Sequence, residues 1–312
     1  MFHVKQKRKW NTIHSKQGYK YSIRIFYTNI LYEILYEYPI QMSCYGIDYG
    51  RKERLRGLMA KIITIANQKG GVGKTTTAVN LAASLAEAKQ RVLLLDFDPQ
   101  GNAGSGIGIR EEEISIYRIL SGEFPIEKGI VREALENLDF IAADRNLSAM
   151  DAELAEEENK NFLLKEALEN IQKDYDYIFI DCPPSLGTLT VNALTASHSV
   201  LIPIQCEYYA LEGLSQMTDT ISMVKDALNP DLTIEGILFT MYDSRNLLSQ
   251  EVVKAVQEHF SDPIFKTIIP RNVRLAEAPS HGLPISLYDN SSTGAEAYRK
   301  LAAEILEKDI AY

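Results

Sequence analysis

The chain has 312 residues, of which 46% are apolar and 24% are charged, a balance that suits a soluble α/β domain with a full core. It holds no run of about 18 apolar residues, which argues against a membrane-spanning helix. Three widely spaced cysteines, Cys44, Cys182 and Cys206, indicate neither a disulfide framework nor a zinc site. We therefore expect a protein of the reducing cytoplasm.

The first 58 residues differ in charge from the rest of the chain. Residues 1–58 hold 11 Lys/Arg against 4 Asp/Glu, a net charge of +7, whereas residues 59–312 hold 22 against 38, a net charge of −16. The first segment also carries 8 of the 17 tyrosines. It shows no clean period of 3.6 or 2 residues and no signal-peptide pattern. We predict a basic, tyrosine-rich extension over 1–58 and a single domain over 59–312.

A phosphate-binding loop follows the first predicted strand, which spans residues 61–67. The loop reads Lys69-Gly70-Gly71-Val72-Gly73-Lys74-Thr75-Thr76 and opens a predicted helix over residues 75–89. In this strand–loop–helix context the glycines let backbone N–H groups and the helix N-terminus face an anion. Lys74 is expected to reach the β- and γ-phosphates of a nucleotide, and the Thr75 hydroxyl is expected to bind Mg²⁺.

The second lysine of this loop, Lys69, carries a family resemblance. The string K-G-G-V-G-K-T-T is typical of the deviant phosphate-loop ATPases, and from Met59 onward the chain resembles the ParA/Soj chromosome- and plasmid-partitioning ATPases. The resemblance covers about four-fifths of the chain. It implies weak hydrolysis of ATP with Mg²⁺, and an ATP-sandwich homodimer in which Lys69 contacts the phosphates bound to the partner.

The resemblance also bears on the start of the protein. Proteins of this family usually begin at a position that corresponds to Met59-Ala60-Lys61. The codons for Arg56-Gly57 can read AGG-GGN, which is a ribosome-binding sequence at a plausible distance from a start at Met59. We therefore expect residues 1–58 to lie upstream of the true start. The alternative is a translated basic extension that touches nucleic acid or membrane.

Two further strands end in aspartates. Residues 91–95 form a predicted strand that runs into D-F-D-P-Q-G-N, and residues 177–181 read as four apolar residues followed by Asp181. The carboxyl ends of such strands are where α/β sheets bind ligands. Asp98 alone can be a turn former, but the resemblance places it beside the γ-phosphate, where it positions the attacking water. Asp98 and Asp181 are thus expected in the Mg²⁺ shell, and Cys182 is expected to fill a loop rather than bind metal.

The middle and C-terminal parts complete an alternating pattern of helices and strands. We predict short helices over 116–120 and 126–135, a strand over 138–142 and helices within 147–173, where an acidic run (153–158) is expected to be a solvated helix face. Strands follow over 199–204, 233–241 and 266–269, with helices over 214–228, 249–260 and 294–308. This order predicts a doubly wound, mostly parallel α/β sheet flanked by helices.

Other site residues come from the resemblance alone. Residues 205–213 match a family string near the dimer face, and Pro270 and Asn272 match the loop on the adenine side. Arg245, Arg271 and Arg274 match the region that contacts DNA, although a surface ion pair is the alternative for each arginine. The implied partners are non-specific double-stranded DNA and a ParB-type centromere-binding protein.

Three functions compete on this fold, because a fold does not fix a function. The first is a partitioning ATPase of the nucleoid, the second a membrane-surface ATPase like MinD, and the third a metabolic ATPase such as an amidase or metal-cluster carrier. Residues 295–312 hold three basic and four acidic residues, unlike the basic amphipathic helix of a membrane-surface protein. We therefore expect the partitioning function and no membrane binding.

Overall fold

The computed structural model describes residues 59–109, 112–153 and 159–311. The predictions for residues 1–58 and for most of the acidic run lie outside these ranges. Within them, no helix is both long and apolar enough to cross a membrane.

Seven strands form one sheet in the order β3-β4-β2-β5-β1-β6-β7. Every pairing is parallel except that of β3 with β4, which confirms the predicted doubly wound class. The strands are β1 Lys61–Ile65, β2 Val92–Asp96, β3 Ile130–Leu135, β4 Leu138–Ile141, β5 Tyr177–Asp181, β6 Ser199–Gln205 and β7 Thr233–Thr240.

Helices cover both faces of this sheet, and two apolar clusters, one on each face, form the core. The helices are α1 Lys74–Glu87, α2 Asn102–Gly106, α3 Ile116–Leu120, α4 Met150–Glu153, α5 Leu163–Glu169, α6 Thr188–Ala196, α7 Ala210–Ala227, α8 Leu247–His259, α9 Val273–Glu277, α10 Ile285–Tyr288 and α11 Thr293–Ala311. Short 3₁₀ helices span Ile126–Lys128, Arg145–Ala149, Gln172–Asp174 and Ala278–His281.

The register of the central strands brings the predicted site together. Asp181, the last residue of β5, lies opposite both Ile65 of β1 and Asp96 of β2. These strands are buried on both faces because each is an apolar run, as parallel sheets require. The two aspartates therefore emerge side by side at the carboxyl edge of the sheet, next to the loop that follows β1.

Two predicted elements were wrong. The predicted helix over 126–135 is a 3₁₀ turn followed by strand β3, in which Ile130 and Val131 pair with β4. Tertiary pairing overrides the local pattern there. The predicted strand over 266–269 is not a strand, because the Glu304 carboxylate of α11 accepts the backbone N–H groups of Lys266 and Thr267 at 2.8 and 3.0 Å.

Both edges of the sheet are irregular. On β3 the pairing shifts between Val131 and Leu135, and Glu133 has a positive φ of 51°. On the opposite edge, the outer side of β7 forms an isolated bridge between Ile237 and Ile264 in the described part of the chain. Each edge thus offers only a broken row of backbone groups.

Candidate functional site: a phosphate loop between two aspartate-bearing strands

The phosphate loop turns at two glycines with left-handed backbones. Gly71 has a φ of 75°, and Gly73, which caps α1, has a φ of 87°. A side chain at either position would be strained. Lys74 is the first residue of α1, so the loop delivers it to the helix N-terminus, where the helix dipole favours an anion. The motif therefore has the geometry that its sequence predicts.

Two residues that lie outside the phosphate loop in sequence help to fix its backbone, and the sequence analysis assigned no role to either. The Thr240 hydroxyl at the end of β7 lies 2.8 Å from the carbonyl oxygen of Val72 and 3.1 Å from that of Ile204. The Asn67 amide donates to the Pro203 carbonyl at 2.8 Å and accepts the Lys69 N–H at 2.9 Å. Because strands distant in sequence supply these contacts, no local pattern reveals them.

Lys74 is buried beside the two predicted carboxylates. Its Nζ donates to the Lys69 carbonyl at 3.2 Å, and its side chain is almost fully enclosed. Burial lowers the pKa of Lys74, and the charges of Asp181 and Asp98 oppose that shift. The ammonium group therefore lies in a poorly solvated position where added negative charge, such as a phosphate, is stabilising.

Lys69 lies at the rim of the loop. Its Nζ is 3.4 Å from the Glu207 carboxylate in the segment that follows β6, and the two side chains are 31% and 48% exposed. The structure thus separates the two lysines of the motif. Lys74 faces inward to the protomer's own phosphate site, whereas Lys69 faces solvent.

Asp96 organises the loop that carries Asp98, a role that the sequence analysis missed. Its carboxylate is fully buried and accepts N–H groups from Asp98 at 3.2 Å, Ala103 at 2.9 Å and Gly104 at 3.3 Å. Burial raises the pKa of Asp96 to about 7, although these hydrogen bonds oppose the shift. The D-x-D spacing was the available signal, since it places two carboxylates on one turn.

Asp98 itself is enclosed at the mouth of the site. It is only 7% exposed, its carboxylate accepts the Gln100 N–H at 3.0 Å, and its carbonyl accepts the Gly101 N–H at 2.9 Å. Gly101 has a φ of 65° and is the N-cap of α2. This tight turn holds the Asp98 side chain near Lys74, and the expected role of Asp98 in positioning water stays a prediction.

Asp181 fits a Mg²⁺ ligand sphere. Both of its carboxylate oxygens are fully buried and find no hydrogen-bond partner among the residues that the structure describes. Burial and the Asp96 carboxylate raise its pKa well above the usual range, and Thr75 and Lys74 oppose the shift. The Thr75 hydroxyl is near enough to lower this pKa but makes no hydrogen bond of ordinary geometry with Asp181.

These donors suit a small hard cation. Hydroxyl and carboxylate oxygens are ligands that Mg²⁺ prefers, and an unpartnered buried carboxylate is costly without a counter-charge. In the described ranges, no three His, Cys, Asp or Glu side chains are placed to hold a metal. The geometry therefore suits an ion that is bound jointly by a few protein oxygens and nucleotide phosphates.

Cys182 follows Asp181 into the core. Its thiol is fully buried, and its N–H donates to the Ile65 carbonyl at 3.3 Å. Burial raises the pKa of this thiol well above the usual range. Cys182 thus packs in the core beside the site.

On the adenine side, Asn272 already has partners. Its side-chain oxygen caps α9 by accepting N–H groups from Arg274 at 2.8 Å and Leu275 at 3.3 Å, and its amide nitrogen donates to Thr293 at 2.8 Å. Pro270 pairs with Tyr242 in a bridge beside the end of β7. The base contact predicted for Pro270 and Asn272 stays a prediction.

The three predicted DNA arginines follow the carboxyl end of β7, Arg245 and Arg271 in loops and Arg274 in the first turn of α9. Arg245 forms a two-pronged pair with Asp243 at 3.0 and 2.9 Å, and Arg274 pairs with Glu277 at 2.9 Å. Arg271 donates its backbone N–H to the Tyr242 carbonyl, and its exposed side chain has no ion-pair partner among the described residues. All three guanidinium groups are accessible.

An exposed apolar surface borders the Lys69–Glu207 pair. Tyr208 and Tyr209 are 75% and 62% exposed and contact each other edge to face. The N-terminus of α8 adds the exposed Leu247 and Leu248, and it lies nearby because the Ser249 hydroxyl reaches the Cys206 carbonyl. The sequence analysis placed an interface at residues 205–213 but missed the leucines.

Comparison with known proteins identifies the family. A family model described as an AAA domain matches residues 60–234. The sporulation initiation inhibitor protein Soj of Bacillus subtilis is 55% identical over 249 residues, which cover 79% of this chain and 98% of that protein. The chromosome partitioning protein ParA of Myxococcus xanthus is 54% identical over 266 residues, which cover 85% and 94%.

A solved structure shares the fold. Cobyrinic acid a,c-diamide synthase from Mycobacterium smegmatis, with bound ATP analog and magnesium, matches with a TM-score of 0.72 at 37% identity, covering 81% of this chain and 96% of that one. The partitioning proteins are more similar in sequence, at 54–55% identity over nearly their full length. Together with the phosphate loop and its second lysine, this similarity shows that the chain belongs to the ParA/Soj family of chromosome-partitioning ATPases.

Proposed function

We propose that the protein is a DNA segregation ATPase of the cytoplasm and nucleoid. In this proposal ATP closes a sandwich dimer, the dimer binds double-stranded DNA without sequence preference, and a ParB-type protein stimulates hydrolysis and release. The observation that carries the proposal is the separation of the two loop lysines, with Lys74 buried and Lys69 partly exposed at the rim.

The buried half of the site supports ATP hydrolysis. Lys74 and the N–H groups of the glycine turn would bind the phosphates, and Thr75, Asp98 and Asp181 would hold Mg²⁺. Bound Mg²⁺ would neutralise charge on the phosphates. Asp98 would orient a water molecule in line with the γ-phosphate, since phosphoryl transfer depends mainly on positioning and charge neutralisation. A lone carboxylate is a weak base, which agrees with slow intrinsic turnover that awaits a partner.

The rim supports a dimer of two copies. Lys69 projects beside the apolar surface of Tyr208, Tyr209 and Leu247, and a second copy would bury that surface. A glycine at position 70 lets two loop backbones approach closely, because it adds no side chain. An ion pair at 3.4 Å between exposed groups is weak, so Lys69 can exchange Glu207 for a phosphate of the partner's nucleotide.

Three accessible arginines support DNA binding despite the net charge of −16 over residues 59–312. Arg245, Arg271 and Arg274 cluster at one edge of the sheet, and a dimer would double their number. Phosphate contacts by arginine supply non-specific affinity. The exposed pairs of Arg245 and Arg274 contribute little stability, so phosphates can replace the carboxylates.

A metabolic activity is the second candidate, because a diamide synthase shares the fold. Retention of the full chain on random-sequence duplex DNA, with ATP, ADP or no nucleotide, separates the two functions. Binding that requires ATP, fades with salt and is absent in Lys74→Ala would support segregation. Failure to bind DNA in every state would refute the segregation proposal, and ATP-dependent amidation of a carboxylate substrate would then be tested.

A further inference from the structure

Two glycine backbones touch behind the nucleotide site. Gly108 follows α2 with a φ of 85°, and Gly282 follows the 3₁₀ helix after α9 with a φ of 66°. A Cβ atom on Gly282 would lie 2.8 Å from the Gly108 Cα and 3.2 Å from its nitrogen. A Cβ atom on Gly108 would lie 3.1 Å from the Gly282 oxygen. The two segments therefore meet with no side chain between them.

One side of this contact belongs to the segment that carries Asp98. The Asp96 carboxylate binds the N–H groups of Asp98, Ala103 and Gly104, so the loop and α2 share one anchor. The segment stays compact up to Gly108, whose N–H reaches the Ser105 carbonyl at 3.4 Å. A shift of the Asp98 loop would therefore move Gly108 with it.

The other side of the contact, Gly282, lies at the end of a continuous helical rod. Helix α9 runs directly into the 3₁₀ helix Ala278–His281, and Ala278 keeps helical angles of −49° and −44°. The α-helical and 3₁₀ parts together span about 15 Å, at about 1.5 and 2.0 Å per residue. Arg274 lies in the first turn of this rod, and Arg271 lies just before its cap at Asn272.

We propose that residues 273–282 act as a rigid lever through which the Asp98 loop sets the position of Arg271 and Arg274. Backbone atoms in contact cannot be compressed, so a displacement at Gly108 passes to Gly282 rather than being absorbed by side chains. The inference rests on the proposed DNA binding. In the lever proposal, the nucleotide bound to a protomer changes the position of that protomer's own arginines. This effect acts in addition to the doubling of the arginines in a dimer.

The test compares alanine at two glycines of similar backbone. Gly282→Ala and Gly122→Ala both place alanine at a positive φ, of 66° and 79°, but at Gly122 nothing lies within 4 Å of the added methyl group. Both variants share the conformational cost, and only Gly282→Ala disturbs the contact. We expect Gly282→Ala to dimerise with ATP as the wild type does. Its ratio of DNA affinities with ATP and ADP should fall about tenfold, or about 1.4 kcal/mol, while Gly122→Ala keeps that ratio.

The outcomes distinguish the lever from the proposed function. Absence of ATP-dependent DNA binding in the wild type would refute the function and the lever together. A Gly282→Ala variant with the same ratio as Gly122→Ala, in an otherwise ATP-responsive protein, would refute the lever alone. Should Gly282→Ala not fold, Gly108→Ala with its milder contact replaces it. Amide hydrogen exchange over 278–282 in the wild type gives a further readout, and identical exchange with ATP and ADP would overturn the inference.

Discussion

The Lys69 ammonium lies 3.4 Å from the Glu207 carboxylate within one protomer, so the lysine proposed to cross the dimer interface has an internal partner. Glu207→Gln removes that competitor. We expect ATP-dependent dimerisation to reach its midpoint at a concentration lower by up to about fivefold, since an exposed pair contributes up to about 1 kcal/mol. Light scattering against ATP concentration measures the midpoint. Glu212→Gln on α7 also removes one negative charge and should leave the midpoint unchanged. An equal shift of the midpoint in both variants would contradict the idea that Glu207 competes for Lys69.

Asp98→Ala separates binding from hydrolysis. The variant should bind ATP, dimerise and stay on DNA, while phosphate release falls at least about 100-fold, the scale of a lost general base. Lys74→Ala, which should not bind nucleotide, is the control. Single-turnover phosphate release and DNA retention measured on the same sample provide the check. Rapid turnover by Asp98→Ala would remove this carboxylate from the mechanism.

Gly70→Val tests the close approach of two phosphate loops. A Cβ atom at Gly70 would meet only the Pro184 Cβ, at 3.9 Å, which is an ordinary contact. The variant should therefore fold and bind ATP but remain monomeric, because its side chain would obstruct the partner. Nucleotide binding by fluorescence and mass by light scattering give the two readings. An ATP-dependent dimer of normal affinity would show that Gly70 is not at the interface.

Arg271→Glu tests the DNA surface. Its side chain is exposed and forms no ion pair in the described part of the chain, although its charge helps to lower the pKa of the nearby Asp243 carboxylate. Binding should weaken across all sequences, and the salt slope should fall by about 1 for each arginine removed, with dimerisation intact. Lys173→Glu, at the amino edge of the sheet before β5, is the charge-matched control. Unchanged DNA retention by Arg271→Glu would refute its assignment.

His198 should make stability depend on pH. Its Nδ1 accepts the Ile62 N–H at 2.9 Å, which requires a neutral ring, and desolvation and the Lys61 charge lower its pKa below 6.5. The stabilisation is therefore complete above pH 6.5 and is lost as the pH falls through the folded pKa. Loss of this hydrogen bond costs about 1 kcal/mol. Urea unfolding between pH 7.5 and 5 should show less pH dependence in His198→Asn, whose amide can still accept; equal dependence would contradict the assignment.

The sequence predicted most of the sheet because buried parallel strands are nearly continuous apolar runs. Strands β1, β2, β5 and β6 appear close to their predicted bounds. Strand β3 was misassigned because its pairing with β4, rather than its own periodicity, determines its conformation. Residues 266–269 were misassigned because the carboxylate of Glu304, which is remote in sequence, accepts backbone N–H groups that would otherwise pair with a neighbouring strand.

The residues of the candidate site also divide into those that the sequence predicts and those that only the fold reveals. The phosphate loop and the position of Asp181 at the end of its strand could be read from local motifs, whereas the expected role of Asp98 came from the family resemblance and stays a prediction. The contacts of Thr240 and Asn67, and the pairing of Glu207 with Lys69, could not be found from the sequence, because each joins segments that are distant along the chain. Asp96 is intermediate, since its position is local but its role depends on burial.

The irregular borders of the sheet bear on how such a protein tolerates crowding. Strand β3 carries a kink at Glu133 and the outward charge of Arg132, and β7 is flanked by the Ile264 segment. In the proposed function, copies bound to one stretch of DNA would meet each other often, and open strand borders would invite pairing between them. With those borders interrupted, contact between copies would be left to the proposed nucleotide-dependent dimer surface, so that the assembly could be dissolved again.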